Sequence, residues 1–214
     1  MVKIKICGIT HKSDAFMAVE MGVDALGFIF APSERGIHPE KAREIIRSLP
    51  PFVQTVGVFV NEKPARIHDL IAFCGLDLVQ LHGDEPPQMC NLFMPRCVKA
   101  IRVRSRSSLR GIESYTGKVR ALLLDTYSEE KRGGTGITFN WDLTAEVKKA
   151  GIPIILAGGL HPNNIKEAIF TVRPFAVDIN SGVEEKPGKK SRLLMEEMIK
   201  KITQVNREGV IHEQ

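Results

Sequence analysis

Short apolar runs that alternate with longer helical patterns are the feature that most constrains how this chain can fold. The runs are rich in Val, Ile and Leu, and helix signals such as Pro39 and Gly75 lie between them. Eight runs are predicted as strands, over residues 2–7, 24–30, 53–60, 77–81, 97–103, 120–125, 153–157 and 175–180. The alternation predicts parallel strands, because parallel neighbours need crossover connections.

Helical segments are predicted after the strands, with Ser13 and Asn140 expected to cap two of them. The segments are residues 13–21, 39–48, 63–73, a short stretch after residue 87, 107–115, 141–150, 162–170 and 188–205. A doubly wound open sheet can be built from the same alternation, but eight units in 214 residues favour closure into a barrel. No linker divides the chain, so we expect an α/β protein with one (β/α)8-barrel (TIM-barrel) domain over residues 1–214.

Charge and cysteine spacing argue against several other classes of protein. The 30 basic and 25 acidic residues give a net charge of +5, and the densest basic stretch, residues 102–110, contains no aromatic side chain for base stacking. We therefore expect no nucleic-acid partner, while the mild positive charge suits a small anionic substrate. The four cysteines form no CxxC or zinc-like spacing, so no metal is expected. No apolar run is long enough to span a membrane, and we expect a cytoplasmic protein with reduced thiols and no membrane partner.

Polar residues recur at the carboxyl ends of the predicted strands, where barrels of this type carry their chemistry. Alternation places Gln80 with His82 on one face of a strand and Asp178 with Asn180 on one face of another. His82 is as consistent with a structural role as with a functional one. Asp125 ends the apolar run at residues 121–124, so its carboxylate must be paired, reach solvent or take part in chemistry.

The first strand places Lys5 and Cys7 on one face and two isoleucines on the other, which predicts that Lys5 and Cys7 point into the barrel. Closure brings the eighth strand beside the first. Because an unpaired charge inside a barrel is costly, we predict an ion pair between Lys5 and Asp178, one layer below the substrate. The charge of Lys5 would then favour the Cys7 thiolate, or the pair would only neutralise itself; both interpretations stay open.

Two glycine-containing segments are predicted to bind phosphate. Gly158 and Gly159 end the seventh strand, and Ser181 and Gly182 follow the eighth. Glycines let backbone N–H groups approach an anion, and the seventh and eighth loops are where such barrels commonly hold phosphate. A third segment, GGTG at residues 133–136, lacks the Lys-Ser/Thr of a P-loop and is interpreted as part of a mobile lid over residues 126–139.

Taken together, these motifs resemble the phosphoribosylanthranilate isomerase family. The resemblance runs in order along the chain through KICGIT (residues 5–10), GFIF (27–30), SER (33–35), VGVFV (56–60), VQLHG (79–83), LDT (124–126), GGTG (133–136), FNW (139–141), LAGGL (156–160) and DINSGVE (178–184). The chain departs from the family pattern at Asn140, where Asp is usual, and at Ile137, where Lys is frequent.

The resemblance implies an Amadori rearrangement of N-(5-phosphoribosyl)anthranilate to 1-(2-carboxyphenylamino)-1-deoxyribulose 5-phosphate in tryptophan biosynthesis. Carried over by motif, Cys7 is the general base, Asp125 the general acid and Arg35 the residue that binds the anthranilate carboxylate. The glycines at 158–159 and the turn at 181–182 would hold the phosphate. No cofactor or metal is implied. We expect the other inward polar residues, Gln80, His82 and Asp178, to line the substrate site.

Two alternatives compete with this interpretation. Another phosphosugar barrel, such as an epimerase or an indole-forming enzyme of the same pathway, is the nearest in chemistry. A barrel that binds a phosphorylated ligand without catalysis belongs to a different class. Cys7 and Asp125 argue against the non-catalytic alternative, and the oligomeric state is left open.

Overall fold

Eight strands pair side by side in chain order and close into one parallel barrel. The computed structural model describes residues 1–126 and 140–211. The strands are β1 (Lys3–Ile6), β2 (Ala25–Ile29), β3 (Gln54–Phe59), β4 (Leu78–Leu81), β5 (Cys97–Val103), β6 (Ala121–Thr126), β7 (Ile154–Leu156) and β8 (Ala176–Ile179). The barrel closes where β8 pairs with β1, with Lys5 opposite Asp178. The predicted parallel barrel is therefore confirmed, whereas the single domain over residues 1–214 stays a prediction.

Helices follow most of the strands and cover the outside of the barrel. They are α1 (Lys12–Glu20), α2 (Pro39–Ser48), α3 (Pro64–Cys74), α4 (Pro87–Asn91), α5 (Thr144–Lys148), α6 (Ile165–Val172) and α7 (Arg192–Ile211). The prolines at the starts of α2 and α3 occupy first-turn positions, and Gly75 ends α3 in the left-handed conformation with φ of 77°. None of the helices within residues 1–126 and 140–211 combines the length and apolarity needed to cross a bilayer.

Two apolar layers result from the alternation of side chains along the strands. The inner cluster contains small and medium side chains such as Ala100, Leu123 and Ala176. The larger outer cluster packs strand residues such as Ile6 against helix residues such as Ile45. Ile4 and Ile6 belong to this outer layer, which confirms that Lys5 and Cys7 face inward.

Several helix predictions were wrong in their ends or type. Helix α1 is capped by His11 without a side-chain hydrogen bond, so Ser13 is inside the helix and is not its cap. The predicted helix at residues 107–115 is two 3₁₀ turns, Arg106–Leu109 and Ile112–Tyr115, because Gly111 between them takes a φ of 75°. The predicted helix at 141–150 is a 3₁₀ turn, Trp141–Leu143, followed by the short α5.

The capping role of Asn140 is confirmed, since its side-chain oxygen accepts a hydrogen bond of 3.0 Å from the Asp142 N–H. The last helix begins at Arg192 and not near Gly188, because a hairpin of β9 (Glu184–Lys186) and β10 (Lys189–Lys190) precedes it. Gly188 has a φ of 77° in the connecting turn, a conformation that ends regular structure. The lid predicted around the GGTG segment lies outside the described residues.

Candidate active site

The carboxyl ends of β1, β4, β6 and β8 bring the polar residues singled out in the sequence to one rim of the barrel. In β6, Ala121 and Leu123 belong to the inner cluster, so alternation turns Asp125 inward as well. In β4, Val79 and Leu81 pack in the outer layer, which turns Gln80 and then His82 toward the interior. All of these side chains therefore face the mouth where barrels of this kind hold their substrates.

Cys7 lies just beyond β1 and is buried, above the ion pair that the sequence predicted. The Lys5 ammonium donates to the Asp178 carboxylate at 2.7 Å, and both side chains are almost fully buried. Gly27 of β2 leaves room for this arrangement: a Cβ there would lie 2.7 Å from the Cys7 sulfur and 3.0 Å from the Lys5 nitrogen. The predicted ion pair is confirmed, and the side chains of Lys5 and Cys7 both lie against Gly27 of β2.

Opposing effects act on the Cys7 thiol and on Lys5. Burial, with the charge of Asp178, raises the pKa of Cys7, whereas Lys5 and Lys190 lower it without outweighing the rise. Burial lowers the pKa of Lys5, but attraction from Asp178 and then from Cys7 outweighs burial, so its pKa lies above the ordinary value. The ammonium therefore stays charged at neutral pH and acts on the thiol in the predicted direction, but the net pKa of Cys7 is raised.

A chain of hydrogen bonds connects β4 to β6 at the rim. The amide nitrogen of Gln80 lies 2.9 Å from Nδ1 of His82, and Nε2 of His82 lies 3.2 Å from Oδ2 of Asp125. An amide nitrogen can only donate, so Nδ1 accepts and the imidazole proton is on Nε2, facing the carboxylate. His82 thus connects Gln80 with Asp125, and its part in the chemistry stays a prediction.

The loop after His82 is fixed by a buried ion pair. The Lys99 ammonium donates to Glu85 at 2.8 Å and to the Gly83 carbonyl at 2.7 Å. The Glu85 carboxylate also accepts from the Asn61 and Gly83 N–H groups, at 2.8 and 2.9 Å. Burial raises the pKa of Glu85, but the hydrogen bond and the charge of Lys99 outweigh it, and its pKa lies below the ordinary value. This ionised carboxylate holds the chain that presents His82.

The two segments predicted to bind phosphate lie against each other. Gly158 and Gly159 take φ values of 81° and 63°, which residues with a side chain rarely adopt. A Cβ on Gly182 would lie 1.9 Å from the Leu160 carbonyl oxygen, so the turn Ser181–Val183 rests directly on the loop after β7. The sequence placed both segments correctly at neighbouring strand ends, and the close contact requires glycine at 182.

Arg35 is buried at the β2 side of the same rim, and a carboxylate holds its guanidinium there. Its Nε and Nη2 donate to Glu184 at 2.8–3.1 Å. Its side chain also lies close to Gly8, where a Cβ would be 3.2 Å from Cδ of Arg35. Arg35 therefore lies beside Cys7 along the rim, in a position from which it can contact a substrate. The Glu184 carboxylate already accepts hydrogen bonds from Nε and Nη2 of its guanidinium.

Sequence reasoning missed three residues at this site. Glu184 and Lys190 form an ion pair of 2.9 Å beside Arg35, and both side chains are almost fully buried. Arg102 follows the inward-facing Val98 and Ala100, and it donates at 3.1 Å to the His82 carbonyl. The alternation that placed Lys5 would have placed Arg102 inward as well. Glu184 left no such signal, because one of its partners, Arg35, is 149 residues away and the other, Lys190, lies across a hairpin that the sequence pattern did not reveal.

Within residues 1–126 and 140–211, no three His, Cys, Asp or Glu side chains are arranged to hold a metal ion. The site is instead a basic and acidic rim with a buried thiol. Its positive groups among the described residues include Lys5, Lys190 and Arg35 near β1, and Arg102 on β5 opposite Asp125 of β6. Such a rim can bind an anion and move protons between a thiol and a carboxylate.

A family model, a curated relative and two solved structures agree on one family. The family model of N-(5'-phosphoribosyl)anthranilate isomerase matches residues 4–201. The isomerase of Geobacter sulfurreducens is 54% identical over 202 residues, which cover 94% of this chain and 98% of that protein. The crystal structure of phosphoribosyl anthranilate isomerase from Thermotoga maritima superposes with a TM-score of 0.89 at 44% identity, covering 95% of this chain and 100% of that one.

A second solved structure holds a ligand. It is phosphoribosyl anthranilate isomerase in complex with reduced 1-(o-carboxyphenylamino)-1-deoxyribulose 5-phosphate, and it superposes with a TM-score of 0.86 at 42% identity over 95% of this chain and all of that one. The family model and these identities extend over nearly the whole chain and agree with the motifs at the barrel rim. The chain belongs to the N-(5'-phosphoribosyl)anthranilate isomerase family.

Proposed function

We propose that this chain converts N-(5-phosphoribosyl)anthranilate to 1-(2-carboxyphenylamino)-1-deoxyribulose 5-phosphate, with Cys7 as general base and Asp125 as general acid. The order of strands around the barrel carries the proposal. Strands β7 and β8, which bear the two glycine segments, lie between β6 with Asp125 and β1 with Cys7. A phosphate held by these two loops would place its ribose between the carboxyl group and the thiol.

The reaction needs one proton delivered and one removed. Asp125 donates a proton to the furanose oxygen, the C1–O bond breaks, and the anthranilate nitrogen forms an iminium with C1. Cys7 then removes the proton from C2, and the resulting enaminol tautomerises to the ketone. The substrate and the product are isomers, so a single acid and a single base are sufficient for the proton transfers.

The hydrogen-bonded chain from Gln80 suggests how Asp125 is set for this step. The His82 N–H occupies Oδ2 of Asp125 at 3.2 Å, which leaves Oδ1 as the oxygen that can carry the transferred proton. Gln80 in turn fixes the imidazole by its 2.9 Å contact to Nδ1. In this proposal His82 and Gln80 orient the acid, and Asp178 holds Lys5 beneath the thiol.

The other assignments follow from the position of each group. The loops at Gly158–Gly159 and Ser181–Gly182 bind the phosphate through backbone N–H groups, and Arg35 binds the anthranilate carboxylate with the N–H groups that Glu184 leaves free. The reduced product analogue in the related structure supports a small phosphorylated substrate. We propose a cytoplasmic location on the sequence grounds given above.

Purified protein should form the product from substrate generated in situ, with a chelator present. We expect Cys7→Ser to lose about 10²–10⁴-fold in kcat, because a serine hydroxyl ionises far less readily than a thiol and supplies almost no anionic base near neutral pH. Asp125→Asn should lower kcat with little change in KM, since it removes a transferable proton and keeps the shape. The matched control is Cys74→Ser, a buried thiol of α3 with its sulfur 3.5 Å from the Pro39 carbonyl, which should keep normal turnover.

Two results would contradict these assignments. Near-normal turnover in Cys7→Ser would remove the thiol from the mechanism. A raised KM with unchanged kcat in Asp125→Asn would make Asp125 a binding residue. Absence of product with the unmodified protein would refute the proposed function itself.

A further inference from the structure

Glu184 connects two parts of the site that the proposed function treats separately. It follows the Ser181–Val183 turn directly, and 4% of its side chain is exposed. Its carboxylate accepts two charged donors, Arg35 at 2.8 Å and Lys190 at 2.9 Å. Proton transfer in the isomerisation uses none of these three residues.

The Lys190 ammonium carries the connection on to the phosphate turn. It donates to the Asn180 carbonyl oxygen at 3.1 Å and to Oδ1 of Asn180 at 3.0 Å. Asn180 immediately precedes the Ser181–Gly182 turn, so Glu184 fixes the start of that turn through Lys190. The same Asn180 Oδ1 would lie 2.7 Å from a Cβ on Gly8, the residue after Cys7.

The β9–β10 hairpin is hydrogen-bonded to the loop after Cys7 and to α1, and these contacts fix the position of Glu184 at the start of β9. Asp14, fully buried in α1, accepts from the Lys189 ammonium at 2.7 Å and from the Lys190 N–H at 2.9 Å. Thr10 donates to the Gly188 carbonyl at 2.6 Å. The hairpin therefore has little freedom to move relative to β1.

The net charge of the cluster formed by Arg35, Lys190 and Glu184 favours the binding of an anion. Burial lowers the pKa of Lys190, and the charge and hydrogen bond of Glu184 act against this lowering. With Arg35 and Lys190 both protonated, two cations and one carboxylate leave one positive charge among Arg35, Lys190 and Glu184. Burial raises the pKa of Glu184, but the hydrogen bond to Arg35 and the charge of Lys190 outweigh it and hold the pKa below the ordinary value. Glu184 thus stays ionised at neutral pH, and the surplus positive charge is available to an anionic substrate.

We propose that Glu184 is a positioning residue that holds Arg35 for the substrate carboxylate and, through Lys190 and Asn180, holds the turn that binds the phosphate. The two anionic ends of one substrate are then bound by one connected unit. The inference rests on the proposed function for the identity of the substrate and for the role of Arg35. It adds a residue whose only effect is on how the substrate is held.

The test is Glu184→Gln compared with Glu185→Gln, which changes the exposed neighbour in the same way. Gln cannot accept from two cations as a carboxylate does, so we expect KM to rise about 10- to 100-fold, as for the loss of a charged hydrogen bond. The kcat should stay within a few-fold of the unmodified enzyme, and Glu185→Gln should change neither constant. Benzoate as a probe for the Arg35 subsite and inorganic phosphate as a probe for the turn should both inhibit more weakly in Glu184→Gln.

Arg35→Ala separates this inference from the assignment of Arg35. If Arg35→Ala leaves KM and benzoate inhibition unchanged, the role proposed for Arg35 is wrong, and so is the carboxylate half of this inference. If Arg35→Ala weakens benzoate inhibition, adding Glu184→Gln should weaken it little further, yet should still weaken inhibition by phosphate. Unchanged KM and unchanged inhibition by both probes in Glu184→Gln, or a loss confined to kcat, would overturn the inference.

Glu184→Asp covers the case in which the Gln variant does not fold. It keeps a negative charge beside the buried Lys190 but is one methylene too short to hold both cations. We expect the same rise in KM with a thermal midpoint close to that of the unmodified enzyme. A folded Asp variant with normal KM and normal inhibition by both probes would overturn the inference equally.

Discussion

At the scale of single residues, the buried Lys5–Asp178 ion pair acts on the pKa of the Cys7 thiol beside it. The two partners act on Cys7 in opposite directions, since Asp178 raises the pKa of the thiol and Lys5 lowers it. We expect Lys5→Met to raise the pKa of Cys7 further, because the cation is lost while the carboxylate stays. The pH dependence of iodoacetamide alkylation, followed by mass spectrometry of the peptide that contains Cys7, measures this pKa in the presence of the other cysteines.

The control for this prediction removes both charges. In Lys5→Met with Asp178→Asn, the lowering and raising contributions are both absent, so the pKa of Cys7 should fall below that of Lys5→Met alone. An unchanged thiol pKa in a folded Lys5→Met variant would mean that the pair only neutralises itself.

The residue scale also shows what the sequence could reveal about the site. The period of two along a strand, with closure of β8 onto β1, was sufficient to predict that Lys5 meets Asp178. The same period predicted that Gln80 and His82 share one face of their strand, whereas Asp125 was singled out because it ends an apolar run. The contact between Arg35 and Glu184 was not predictable in this way, because β9, which begins at Glu184, has only three residues and shows no repeating pattern that sets the direction of a side chain.

At the scale of elements, the contact between the loops after β7 and β8 depends on a missing side chain. A Cβ at Gly182 would lie 1.9 Å from the backbone oxygen of Leu160, and a backbone atom cannot rotate away as a flexible side chain can. We expect Gly182→Ala to push the two loops apart, to cost about 1–3 kcal/mol of stability and to raise KM and the inhibition constant of inorganic phosphate. Chemical denaturation and steady-state kinetics measure these effects.

Gly209→Ala is the matched control for this substitution. Gly209 lies in α7 with no atom within 4 Å of the position a Cβ would take, so Ala should stabilise the helix by about 0.5–1 kcal/mol and leave KM unchanged. Normal phosphate inhibition in a folded Gly182→Ala variant would show that the close contact between the loops is not needed for anion binding.

Strands and helices were predicted correctly where signals in the local sequence determined their ends. Strand β5 has the predicted ends, Cys97–Val103, because apolar residues occupy both of its faces except at Lys99 and Arg102, and α2 begins at Pro39 as its first-turn proline indicated. The segment after β5 was wrong in type, because Gly111 divides it into two 3₁₀ turns. The β9–β10 hairpin was missed because its strands are two and three residues long and are held mainly by contacts with α1 and the loop before it.

At the scale of the whole molecule, closure of the barrel brings ionised side chains into places where water is excluded. Lys99–Glu85 under the rim at β4–β5 and Lys190–Glu184 beside β8 lie in different parts of the fold, and all four side chains are almost fully buried. The alternation of strands and helices predicted the closed barrel, but it could not predict these pairs. They depend on which loops meet after closure.

These pairs make the stability of the fold sensitive to acid. The pKa values of Glu85 and Glu184 are lower in the folded protein than their ordinary values, so both carboxylates bind protons more weakly when folded than when unfolded. Their contribution to stability is therefore fully present above the unfolded carboxyl pKa of about 4.3 and is lost as the pH falls through the lower folded values. The free energy of unfolding, measured by denaturant titration, should accordingly be level near neutral pH and should decrease as the pH falls below about 5.

Glu85→Gln tests how much the Lys99–Glu85 pair contributes to the loss of stability in acid. At neutral pH the variant leaves the Lys99 ammonium buried without its carboxylate, and we expect a loss of stability on the order of 3 kcal/mol. As the pH falls, the unmodified protein loses the contribution of ionised Glu85, whereas the amide side chain of the variant has no carboxylate to protonate. The two curves of unfolding free energy against pH should therefore converge in acid; parallel curves from pH 7 downward would mean that Glu85 does not contribute to the acid sensitivity of the fold.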